Sequence, residues 1–198
     1  MQAIGRSALS TSTALLFAFA ALPALADTMR FEGTATLCFI GAVPASVEQK
    51  DNGETTYVSD MVSLYYLKTA PVGASPAAGL VNGWELLVSD MKIAGKEYWL
   101  DWTGILTPTA YAGTSGTALE ETASIQTTDL SMLHGTWLGT GELEGVRVDY
   151  VLTVNPDTAP DCPGEQPSQC ADVAGGCLPA QPPQPPIVYD ISGFVHRP

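Results

Sequence analysis

The chain has 198 residues, 45% of them hydrophobic, and carries 21 Asp and Glu against 8 Lys and Arg for a net charge of −13. So acidic a chain lacks the positive groove or stripe that nucleic acid and anionic lipid require, and neither is expected as a partner. Its charge serves solubility; the alternative, cations collected by a calcium loop, finds no support, because "DNGE" at Asp51 lacks the remaining ligands and the distal Glu.

Residues 1–26 read as a signal peptide. Arg6 gives a short positive start, "ALLFAFAAL" from Ala14 is apolar but too short to span a bilayer, and Ala24 and Ala26 present the small side chains a signal peptidase reads. Cleavage is expected before Asp27. No cysteine follows that point, so no lipid anchor is expected, and no later run approaches the apolar length of a membrane span. These features predict an exported protein, periplasmic or extracellular, with residues 27–198 as one domain. Loss of Arg6 and of no acid makes that domain one unit more negative than the whole chain.

From Arg30 onward the dominant period is two. In "RFEGTATLCFI", Phe31, Gly33, Ala35, Leu37 and Phe39 share one face while Glu32, Thr34, Thr36 and Cys38 share the other. Strands are predicted at 30–40, 44–50 and 55–68, the last two joined through Asn52-Gly53. A loop of small residues at 69–79 leads to Asn82-Gly83, a second hairpin signal, because both residues tolerate positive φ. Strands follow at 84–92 and, past a turn at Gly95, at 97–107. In the latter, Tyr98, Leu100, Trp102 and Leu106 oppose Glu97, Trp99, Asp101 and Thr103. A second long loop spans 107–116. The run 119–128 reads as a strand, with a short helix as the alternative for "LEETASIQ", whose acids suit a first turn. Strands at 132–139, 145–154 and 187–195 complete the series, with "GTGELEG" from Gly139 as a turn.

Eight or nine strands with short links predict an all-β domain, a closed antiparallel β-barrel of about eight strands, with a β-sandwich as the alternative. Closure is favoured because it removes exposed sheet edges, and the last strand, "IVYDISGFV", finds its natural partner in the first.

Between these strands lies a Pro- and Cys-rich loop, 156–186, holding nine of the fifteen prolines. Cys162, Cys170 and Cys177 are too far apart for the paired spacing of a zinc site, and no C-x-x-C redox motif occurs. Export supplies an oxidising compartment, so two disulfides are expected. Cys38 faces outward, and antiparallel pairing of 187–195 with 30–40 brings the last strand's entry to it. The predicted pairs are therefore Cys38–Cys177 and Cys162–Cys170, stapling the insertion to the barrel. No metal and no cofactor are expected.

Candidate chemistry is sparse. His134 is predicted outward; a catalytic role with Glu142, or a copper role with Met132, lacks further partners. No G-x-S-x-G elbow and no phosphate loop occurs. Two among Glu85, Glu97, Asp101, Glu142 and Glu144 would suffice for carboxylate chemistry, yet nothing selects a pair. Aromatic residues give the best ligand-binding candidates: Tyr98, Trp99, Trp102 and Trp137, with core filling as their ordinary role. Trp99 shares its face with Glu97, Asp101 and Thr103. It is exposed, marking a ligand or partner surface, unless the proline-rich insertion covers it.

The hairpin "GTWLGTGELEGV", Gly135–Val146, resembles those of small allene-oxide-cyclase and dirigent-like β-barrel proteins. The resemblance implies a closed barrel that binds or guides a small apolar molecule, in some members as a cyclase. The expected function is an exported, non-enzymatic barrel binding a small apolar or aromatic ligand or a protein partner. The alternatives are a barrel enzyme, as isomerase/cyclase or carboxylate hydrolase, and a structural envelope or interaction protein.

Overall fold

A computed structural model describes residues 27–42, 48–49, 55–72, 79–163 and 187–198. The expected signal peptide, the Asn52-Gly53 turn and most of the Pro- and Cys-rich loop lie outside these residues. The strands are β1 (Asp27–Ala42), β2 (Glu48–Gln49), β3 (Thr55–Pro71), β4 (Gly83–Ala94), β5 (Glu97–Pro108), β6 (Leu119–Thr127), β7 (Met132–Gly139), β8 (Arg147–Val154) and β9 (Ile187–Arg197). Short 3-10 turns at Thr109–Tyr111 and Gly141–Leu143 interrupt two of the links. "LEETASIQ" is strand, not helix: its alternation buries Leu119 and Glu121 and leaves Glu120 in solvent.

The strands form an antiparallel sheet in the order β1-β9-β8-β7-β6-β5-β4-β3, which closes because β3 returns to pair with β1. The result is an eight-stranded barrel and not a sandwich, with β2 a short addition along β3. The closing seam has the expected partners, with Ala35 opposite Tyr189 and Phe31 opposite Gly193 on one side of β1 and Ala35 opposite Leu67 on the other. Pairing β1 on both edges leaves neither edge of the barrel free.

Inward residues fill much of the interior. Phe31, Leu67, Leu106, Leu119, Trp137, Val148, Ile191 and Val195 belong to one buried cluster, joined by Leu80 and Val81 from the loop before β4. Gly193 accommodates Phe31: a Cβ there would lie 2.8 Å from the Phe31 ring, so the missing side chain lets an aromatic lie across its partner strand. Outside, Asp149 on β8 ties neighbouring strands together. It accepts a 2.6 Å bond from Thr136 Oγ1 on β7 and lies 3.2 Å from His196 Nε2 on β9.

Asn82-Gly83 does not form the two-residue hairpin turn that its sequence suggests, because β3 ends at Pro71 and the connection is longer. The Asn82 side chain instead accepts from the Thr69 backbone N–H and Thr69 Oγ1, tying the loop to β3. Gly95-Lys96 is the tight turn, linking Ala94 directly to Glu97, with Gly95 at φ +62°.

Cys38 bonds to Cys162, with Cα atoms 5.7 Å apart, which corrects the expected pairs Cys38–Cys177 and Cys162–Cys170. The chain leaving β8 crosses the entry of β9, where Asn155 N donates to Val188 O at 2.8 Å. It continues to β1, where Asp161 N donates to Thr36 Oγ1 at 3.5 Å and Lys68 Nζ donates to Asp161 at 2.9 Å. Cys162 therefore reaches Cys38 early in the Pro- and Cys-rich loop. Cys38 is also skipped in the pairing of β1 with β3, whose register shifts between Leu37 and Phe39. Such a bulge re-aims a side chain. Cys170 and Cys177 lie outside the described residues.

The bridge closes a separation of 124 residues. On the chain-entropy model such a link contributes roughly 5 kcal/mol before strain. Non-reducing peptide mapping is expected to recover Cys38 joined to Cys162, and Cys162→Ser is expected to lower the unfolding free energy by up to about 5 kcal/mol, read as a lower denaturation midpoint.

Candidate functional site

The interior is not uniformly apolar. Strand alternation that sends Gly83 and Leu87 inward also sends Glu85, and the row of Leu119 on β6 includes Glu121. Both carboxyls are buried, at 4% and 5% exposure. Each is held by indole N–H: Trp137 Nε1 donates to Glu85 Oε1 at 2.7 Å, and Trp102 Nε1 donates to Glu121 Oε1 at 2.7 Å. Tyr150 O–H donates to Glu121 Oε2 at 2.7 Å while its ring stacks on Trp137, centroids 3.8 Å apart. Tyr65 on β3 and Tyr189 on β9 complete the polar aromatic wall, with ring centroids 6.2 Å apart. Gly135 makes the arrangement possible. A Cβ there would sit 2.4 Å from the Tyr150 hydroxyl and 2.8 Å from Glu121 Oε2.

Burial sets the electrostatics. It raises Glu85 well above the usual carboxylate range, and the nearby Glu121 charge adds to the rise, outweighing the Trp137 hydrogen bond. Burial likewise raises Glu121, to about 6, against the opposing hydrogen bonds from Tyr150 and Trp102. The Tyr65 and Tyr150 hydroxyls are raised by burial first and then by neighbouring tyrosine and carboxyl groups. The two acids thus behave as a pair that holds protons to higher pH than free carboxyls do.

Glu85 and Glu121 line a cavity of about 70 Å³, together with Ser63, Tyr65, Trp102 and Tyr150. Beside it the barrel wall is thin. β6 and β7 pair only at Leu119–Gly139 and Glu120–Leu138, whereas β7 and β8 pair at every position from Met132 to Leu138. From Glu121 onward the hairpin arms part toward a turn held by its own bonds, in which Asp129 N donates to Thr127 Oγ1 and Ser131 N to Asp129 Oδ1. A larger depression of about 400 Å³ runs over the outer face past Asp60, Asp90 and Asp101. There Asp90 already accepts from Asp60 N, and the buried Ser89 and Trp102 line this depression as well as the cavity.

The ligand-binding candidates separate. Trp102 lines the cavity, and Trp137 supports it by holding Glu85. Tyr98 is half-buried on the inward row of β5, beyond the lining. Trp99 is half-buried and faces outward, with Lys92 Nζ of the adjacent strand 4.3 Å from its ring centroid. Of the five acids considered from the sequence, Glu85 alone is buried; Glu97, Asp101, Glu142 and Glu144 are exposed. His134 is exposed opposite Val151, and Met132 is exposed as well. Glu121, the second carboxyl, was absent from that set, although its two-residue step from Leu119 was the available signal.

A carboxyl raised by folding stabilises the native state while protonated, and that advantage is lost as pH rises. For Glu121 the loss begins near the unfolded value of about 4.5 and levels off above about 6, amounting to about 2 kcal/mol; Glu85 extends the decline to higher pH. Denaturant melts from pH 4.5 to 8 are expected to show this fall, and Glu121→Gln is expected to flatten its lower part. Gly135→Ala is expected to cost about 1–3 kcal/mol through overpacking against Tyr150, read as a lower denaturation midpoint.

The chain matches no known family model, no curated protein and no solved structure.

Proposed function

We propose that this barrel binds a small molecule in its interior, at the pocket of Glu85 and Glu121. One observation carries the reading: two buried carboxyls face an unfilled volume inside an otherwise packed core. Buried acids cost stability, and apolar side chains of similar size would often serve a purely structural interior better. Perturbed acids that converge on a cavity are the mark of a functional site. Met61, Leu87, Leu100, Leu133 and Leu152 share the lining, so the ligand combines an apolar part with a polar group. The volume suits a compact ligand, and the parted hairpin of β6 and β7 gives the wall a place to yield to a larger one. The closed barrel agrees with the resemblance of the Gly135–Val146 hairpin to small ligand-binding barrels. A disulfide suits an oxidising compartment, in keeping with export.

Glu121 favours a second reading, general acid–base catalysis on the bound molecule. Its pKa of about 6 and its fixation by two hydrogen bonds suit a proton carrier near neutral pH.

Native mass spectrometry of the purified chain is expected to detect a small non-covalent adduct. Ser63→Leu, which fills the cavity, is expected to abolish the adduct while the barrel remains folded by circular dichroism. Under the catalytic reading, Glu121→Gln retains the adduct but loses turnover of that molecule.

A further inference from the structure

The pocket's polar groups are all of one kind. Glu85, Glu121, Ser63, Ser89, Tyr65 and Tyr150 supply carboxyl and hydroxyl oxygens, and no Lys, Arg or His shares the lining. The same holds for the strands packed around the acids. β3 presents Tyr65, β8 Tyr150 and β9 Tyr189, while β5 and β7 present the indoles of Trp102 and Trp137, so among the described residues no positive group faces either carboxyl.

Two acceptors are uncommitted. Ser63 is 3% exposed and lines the cavity, and no described residue forms a side-chain hydrogen bond to it. Glu85 uses one oxygen for Trp137, and no described residue donates to the other. A hydroxyl and a carboxyl oxygen that line a cavity without a donor from the described residues are free to accept one from a ligand.

We propose that the pocket's ligand is a compact organic cation, a small protonated amine. This rests on the interior-pocket reading and specifies its chemistry. An ammonium brings the missing positive charge and N–H donors for the uncommitted oxygens of Glu85 and Ser63, beside the charge of Glu121. The aromatic side chains of Trp102, Tyr65 and Tyr150 in the lining offer cation–π attraction, which is strongest where water is excluded. A net charge of −13 raises the local concentration of cations at the surface. A divalent metal is a poorer fit: Ca2+ and Mg2+ take six or more oxygen ligands, and no group of three potential metal-ligating side chains occurs among the described residues. Binding the cation favours ionised carboxyls, so protons leave as the ligand enters.

The test is a titration of the full purified chain with methylammonium chloride, read by tryptophan fluorescence and melting temperature at pH 8 and pH 5. Sodium chloride at equal ionic strength, acetamide and acetate serve as comparisons. Methylammonium is expected to bind and stabilise at pH 8, with affinity falling about tenfold or more at pH 5 as the acids take up protons. Sodium chloride and acetate are expected to do neither, and acetamide much less. Glu85→Gln is expected to weaken methylammonium binding about tenfold. Ser63→Ala, which keeps both acids and adds no bulk, is expected to weaken it by a smaller factor and covers the case in which Glu85→Gln does not fold. Equal effects of acetamide and methylammonium would leave the interior pocket standing and remove the cation. Stabilisation by sodium chloride as strong as by methylammonium would reduce the effect to charge screening and also remove it. No response to either methylammonium or acetamide, together with no adduct in native mass spectrometry, would remove the pocket reading itself.

Discussion

Everything inside this molecule depends on β1 pairing along both edges. With β9 on one side and β3 on the other, the first strand converts a row of antiparallel hairpins into a cylinder. Closure places the inward rows of β4, β6 and β8 around one space, so Glu85, Glu121 and Tyr150 meet although they are distant in sequence. An open sheet of the same strands would leave those side chains on a broad face with water as their partner. The disulfide reinforces the same region, since Cys38 follows the last β1 residue paired with β9 and Cys162 follows the chain's passage over the entry of β9.

Around the acids the protein provides orientation without neutralisation. Two indoles and a phenol fix three of the carboxyl oxygens, and stacking of Trp137 on Tyr150 links the group holding Glu85 to the group holding Glu121. Hydrogen bonds of this kind lower a carboxyl pKa, yet burial prevails for both residues. The arrangement is therefore specified in shape and unfinished in charge. In a structural network buried charges usually meet their opposites, and these two carboxyls meet none among the described residues.

The sequence disclosed the architecture through its period of two. Phe31, Ala35 and Leu37 on one strand and Val148, Tyr150 and Leu152 on another announced their inward rows, and the unpaired last strand announced closure. The site was only half legible. Glu85 was one acid among five with equal claims, because alternation assigns a face without saying which strands stand opposite. Glu121 was hidden by composition: two adjacent acids after Leu119 also suit the first turn of a helix, and that local ambiguity obscured the step that turns it inward. The cysteine pairing depended on the path of the segment after β8, which is set by contacts with Thr36 and Lys68 that no periodicity encodes. Asn82-Gly83 misled for a related reason. Its turn chemistry is real, but the Asn side chain serves the connection between β3 and β4 by bonding back to Thr69.

The divided hairpin of β6 and β7 gives the cylinder uneven mechanical strength. A wall joined there by two residue pairs yields at lower free energy than its longer ladders, so spontaneous opening concentrates along one stave. Glu121 stands where that stave begins to part, so a fluctuation that wets its carboxyl need not disturb the Phe31–Gly193 packing across the closing seam. The protein can therefore breathe locally beside its most polar interior residues while the rest of the cask stays shut.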